Sequence, residues 1–134
     1  MAAESEIMLR LVFAAIAGGI IGFEREKIHR PAGIRTHMLV CFGAALFLLI
    51  STQILPDEAA RVMAGVATGI GFLGAGTIFK AKNAVHGLTT AASVWAVAAA
   101  GLSIAAGLYL ISLVSVVLIL LILELNKIPY FREL

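Results

Sequence analysis

No Asp, Glu, Lys or Arg occurs between Lys82 and Glu124, and no carboxylate at all between Glu58 and Glu124. An uninterrupted apolar run of that length cannot be covered by the polar surface of a soluble domain. Soluble domains average roughly 45–50% apolar and about 25% charged residues. This chain of 134 residues has 61% and 13%. At this length a single domain over residues 1–134 is expected, and its solvent is a bilayer.

A spanning helix needs about 20 mostly apolar residues, with a range of roughly 17–25. Segments of that kind lie at about 7–23, 37–55 and 61–79. The first is preceded by Glu4 and Glu6 instead of a basic region and followed by a poor cleavage sequence, so a removable signal peptide is not expected. Arg10, four residues after Glu6, either pairs with it or snorkels to the headgroups. The rest of the apolar run, Leu88 to Leu125, would be about 57 Å long as one helix. Gly101 and Gly107 offer a break, giving two spans at about 88–103 and 107–125. The fold class expected is therefore all-α: a polytopic transmembrane bundle of about five spanning helices.

The basic residues orient it. With five spans, eight of the ten Lys and Arg residues fall on one side and only Arg10 and Arg61 on the other. Basic loops stay cytoplasmic, so the N-terminus is expected outside and the C-terminus in the cytoplasm. The same asymmetry explains the excess of positive charge without nucleic-acid binding.

The segment "GIGFLGAG" holds a literal G-x-G-x-x-G at Gly69, Gly71 and Gly74. A dinucleotide site needs a strand before these glycines and an acid about 20 residues on. That position falls in "LTTAASVWAVAAAG", which has no acid, and no cofactor is expected. Small residues at four-residue spacing instead let membrane helices approach closely. Gly18, Gly22, Gly65, Gly69, Gly71, Gly74 and Gly76 are read as helix-packing positions, with local unwinding of the third span to expose carbonyls as the alternative. Cys41, the only cysteine, is read as a packed thiol, and Trp95 as an interfacial anchor or a core residue.

Two clusters carry the polar chemistry. In "GFEREKIHRPAGIRTHMLV", Pro31 and Gly33 turn the chain so that Glu24 and Arg25 approach Arg35, Thr36 and His37; a charge at membrane depth must be paired or face water, and Glu24 with Arg35 is the expected ion pair, with solvated loop charges as the alternative. In "VHGLTTAASVW", Thr89 and Thr90 open the fourth span as helix caps or as ligand groups. Together Glu24, Arg25, Arg35, Thr36, His37, Thr89 and Thr90 form the candidate polar site. No metal-ligand cluster and no nucleophile–base pair stands out, so catalysis is not expected. Mg²⁺ is usually held through one or two carboxylates, and the acids here lie only near the ends of the spans.

The motifs "GGIIGFERE", "RPAGIRTHMLVCFGAALF", "GIGFLGAGTIFK" and "VHGLTTAASVWAVAAAGL", in that order from about Leu11 to Tyr109, resemble the MgtC/SapB family of small bacterial inner-membrane proteins. The resemblance implies a multi-pass membrane domain in the bacterial inner membrane, linked to growth at low magnesium and, in pathogens, to survival in phagocytes. It implies either a regulator that binds other membrane proteins, such as the ATP synthase, or a transporter or channel for magnesium or another small solute. A homo-oligomer is expected from the excess of small helix faces. Members of the family often continue into a soluble C-terminal domain where this chain stops at "NKIPYFREL". They usually carry Arg where this chain has His86, and commonly Gln where it has Gly65.

Overall fold

The computed structural model describes residues 3–132. Five long helices account for the apolar segments: α1 (Glu4–Lys27), α2 (Ile34–Ile54), α3 (Ala59–Ala75), α4 (Leu88–Ala105) and α5 (Tyr109–Glu124). A four-residue α6 (Pro129–Arg132) follows. Helices α1, α2, α4 and α5, the last carried on to Lys127 by a 3-10 turn, are each long and apolar enough to cross a membrane. Helix α3 has 17 residues, the short end of the spanning range.

Local chemistry sets the breaks. Pro56 lacks a backbone N–H and disfavours helical backbone in the residue before it; Leu55 accordingly leaves α2 at φ −140°. Between α4 and α5, Gly107 takes φ +76°. Its N–H donates to the Ile104 carbonyl and that of Leu108 to the Ser103 carbonyl, both at 3.0 Å. This is the glycine-closed helix end that satisfies otherwise orphaned carbonyls.

One expectation is corrected here. The third span does not run to Phe79: α3 stops at Ala75, and Phe79–Ala81 and Ala84–His86 form a two-stranded antiparallel hairpin, β1–β2, with Phe79 opposite His86. Every residue of both strands is exposed.

The core is the contact of α1, α2 and α4. Ala14, Cys41, Ala45, Val94 and Val97 are fully enclosed. Between helices in lipid, close packing must supply the attraction that apolar burial cannot, and glycines allow it. A Cβ on Gly18 would lie 2.8 Å from the Cys41 Cβ, and one on Gly22 2.7 Å from the Gly33 carbonyl oxygen. Gly101, expected to break a helix, instead lies inside α4 and presses against the Cys41 backbone. Gly74 meets Ala91 of α4. Gly65, Gly69 and Gly71 have no atom of another element within 4 Å of where a Cβ would stand. Within the chain, packing through those three is not found. Gly76 closes α3, its N–H directed at the Phe72 and Leu73 carbonyls. Helix α3 is peripheral, with Gly74 its one buried residue. Trp95, 54% exposed, points out of the bundle, so it is not a core residue.

At the end where α1 begins, Arg10 pairs with Glu6, donates to the Ala105 carbonyl at 2.6 Å and to the Tyr109 hydroxyl at 3.1 Å. One guanidinium thus ties α1 to the α4–α5 turn.

Candidate functional site: a buried polar cluster at the first turn

At the opposite end, the last turn of α1, the loop 28–33 and the first turns of α2 and α4 meet. Glu24 and Arg25 are both buried, Arg25 to 2% exposure. The expected Glu24–Arg35 pair does not form. Arg25 doubles back along its own helix, its Nε donating to Glu24 Oε2 and its Nη2 to Glu24 Oε1 at 2.9 Å. Both carboxylate oxygens are thereby engaged by one guanidinium, the fork geometry that arginine forms and lysine cannot. Arg35 is exposed.

His37 is fully enclosed. Its Nδ1 lies 2.9 Å from the Gly33 carbonyl oxygen, which can only accept, so Nδ1 carries the proton. Nε2 lies 3.0 Å from Ser93 Oγ on α4. Ser93 Oγ also reaches the Thr90 carbonyl at 2.8 Å. The ring therefore bridges the start of α2 to the start of α4. Glu26 completes the turn: its Oε2 accepts from the Ile34 N–H at 2.9 Å, satisfying an amide at the helix start.

Thr90 is buried beside Ser93, Thr36 is half-buried and Thr89 is exposed. Neither Thr89 nor Thr90 caps α4. The cap position is Gly87 at φ +89°, with no side-chain cap bond. The hydroxyl that joins this junction is Thr77, reaching the carbonyls of Gly74 at 2.8 Å and Gly87 at 3.3 Å. Of the seven candidate residues, the structure gathers Glu24, Arg25, His37 and Thr90 into one enclosed region and leaves Arg35 and Thr89 on the surface. Ser93 is buried with them, and Glu26, exposed, borders the region. Ser93 stands three residues after Thr90, and this (i, i+3) spacing was the available signal.

Chemically, the cluster is closed on itself. Among the described residues no buried side-chain nitrogen or oxygen lacks a partner, and no group of three His, Cys, Asp or Glu is placed to hold a metal ion. What faces outward at this end is mainly basic: Arg35, Lys80 and Lys82 are exposed together with Thr89, and Glu26 is the exposed acid among them.

The model of the MgtC family matches residues 11–128. YhiD of Escherichia coli (strain K12) is 41% identical over 137 residues, covering 96% of this chain and 64% of that protein. Protein MgtC of Brucella abortus (strain 2308) is 50% identical over 99 residues, covering 73% of this chain and 42% of that one. Protein SrpB of Synechococcus elongatus is 38% identical over 146 residues, covering 95% and 80%. The chain thus spans less than two thirds of YhiD and under half of the Brucella protein. No solved structure matches it.

Proposed function

The chain belongs to the MgtC family, and on that premise we propose that it is a regulatory protein of the bacterial inner membrane, acting on another membrane protein during adaptation to low magnesium. The observation that carries this reading is the state of Glu24. It is the acid placed deepest at the loop end, and both its oxygens are engaged by Arg25. A hydrated Mg²⁺ is held through free carboxylates; a carboxylate already paired with the guanidinium of its own neighbour on α1 is not free for that role. The enclosed cluster then acts as a rigid base, and the exposed groups it positions, Arg35, Thr89 and the Lys80–Lys82 hairpin, form the surface that a partner meets. A partner such as the ATP synthase is what the family resemblance suggests. Exposed apolar faces on α3 and α5 support self-association within the membrane.

The test uses Thr89→Arg and Lys80→Glu, changes at exposed positions that leave the cluster intact. In cells that depend on this protein for growth at low magnesium, both variants are expected to accumulate normally and to lose that growth. Full growth with both would remove this surface from the function. Magnesium transport, the activity provisionally carried in the name of the Escherichia coli relative, is the competing reading. Protein-dependent magnesium flux in liposomes would establish it.

A further inference from the structure

Helices α2 and α3 touch without filling the space between them. Between them lies a groove of about 570 Å³, lined solely by apolar side chains and glycines: Leu39, Gly43 and Phe47 on one wall, Gly65, Gly69 and Leu73 on the other, with a few aliphatic neighbours. Gly43, Gly65 and Gly69 each have open space where a Cβ would stand. The groove is set in the apolar part of a chain whose neighbouring helices are long enough to span a bilayer, so its surroundings are hydrocarbon. From Val62 to Leu73 its α3 wall runs about 16 Å at 1.5 Å per residue. That is close to half of a hydrocarbon core about 30 Å thick, the depth of one leaflet.

The mouth is charged. Leu39, Gly43 and Phe47 lie at successive four-residue steps, and one step before Leu39 on the same face of α2 stands Arg35. Arg10, Arg25 and Arg61 each have a glutamate partner. Arg35 is exposed and makes no ion pair or side-chain hydrogen bond among the described residues. Glu26, at the same end, is committed to the Ile34 amide. The Lys80–Lys82 hairpin adds further positive charge there.

We propose that the α2–α3 groove is a phospholipid site: one acyl chain lies along Gly43, Gly65 and Gly69, and an anionic headgroup phosphate is held by Arg35. Guanidinium binds phosphate through paired N–H donors, and the excess of positive charge at the mouth, Arg35 with Lys80 and Lys82, favours anionic over zwitterionic headgroups. Arg35 also borders the partner surface proposed above, but the groove and its lipid do not depend on whether the protein regulates or transports.

The experiment is native mass spectrometry of protein purified in mild detergent and titrated with phosphatidylglycerol or phosphatidylcholine. Wild type is expected to retain a phosphatidylglycerol on each protomer, preferred about tenfold. Gly69→Leu fills the groove and is expected to lower retention of both lipids about tenfold. Arg35→Gln is expected to keep the chain site and abolish the headgroup preference. Helix content and thermal unfolding establish that each variant is folded, and Gly65→Leu, which also enters open space, repeats the filling test should Gly69→Leu unfold. Wild-type retention in a folded filled variant would overturn the proposal. So would a preference that survives Arg35→Gln. A dimer that Gly69→Leu dissolves while lipid retention stays unchanged would give the groove to a second copy and equally overturn it.

Discussion

Arg25 is enclosed to 2% exposure beside an acid that is its immediate neighbour in sequence. Removing one partner of a buried ion pair leaves an uncompensated charge, at a cost of about 3–5 kcal/mol, whereas replacing both with apolar groups is often neutral. Glu24→Gln is therefore expected to lower thermal stability in detergent sharply, and Glu24→Leu combined with Arg25→Met to recover most of that loss. Equal stability of the single and double variants would mean that the unpaired Arg25 charge is not what destabilises the single variant. Ser93→Ala removes the hydroxyl facing His37 and is expected to cost about 1–3 kcal/mol, the penalty for a buried group left unpaired, measured by the same unfolding assay. At this scale the sequence was only partly legible. Glu6–Arg10 has the four-residue spacing at which helix side chains meet, and it pairs. Glu24–Arg25 has adjacent spacing, which on a straight helix does not face. The pair forms because Arg25 is enclosed by neighbouring helices and Glu24 is the acid it reaches, a tertiary cause with no local pattern. Cys41, read as a packed thiol, is fully buried. Burial of this kind makes a thiol inert, and native protein is expected to resist a membrane-impermeant maleimide until unfolded.

Among the elements, the glycines separate into two groups that sequence spacing could not distinguish. Gly18, Gly22 and Gly101 sit where helices touch; Gly65, Gly69 and Gly71 face space. Gly18→Leu and Gly101→Leu are expected to destabilise by at least the 1–3 kcal/mol typical of overpacking, whereas Gly69→Leu is expected to leave helix content and the unfolding temperature unchanged. A loss at Gly69 as large as at Gly18 would show that α3 closes on α2 in the membrane. Gly107 is a third case. Its φ of +76° costs an L-residue roughly 1–2 kcal/mol, and a Cβ there would meet the Arg10 guanidinium at 2.9 Å. Gly107→Ala is therefore expected to lose the backbone cost, and to lose more only where moving the guanidinium breaks its bonds to Ala105 and Tyr109. The helices themselves were readable because their charges gather near the ends and leave long apolar stretches, and Pro or Gly punctuates them. The β1–β2 hairpin was not. Its strands are three residues each and exposed throughout, and its turn places Lys82 at φ +53° without a glycine to announce it.

For the whole molecule, the strong asymmetry of basic residues between its two ends predicts which end faces the cytoplasm. With Cys41 buried, single cysteines at Glu4 and Asn126 report the two ends. Labelling with an impermeant reagent in intact spheroplasts is expected at Glu4→Cys only; equal labelling of both would mean an even number of crossings and would place α3 outside the count. A closed polar cluster beneath an outward basic surface is the basis for reading the protein as a regulator. The most direct test is magnesium uptake into liposomes holding purified protein, with a magnesium-sensitive dye inside and a gradient imposed in both the presence and absence of membrane potential. The account predicts uptake no faster than in protein-free liposomes, with the same preparation confirmed folded by its thermal unfolding. Uptake that saturates with magnesium and disappears in a folded Glu24→Leu, Arg25→Met variant would contradict it and make the Glu24–Arg25 pair part of an ion path.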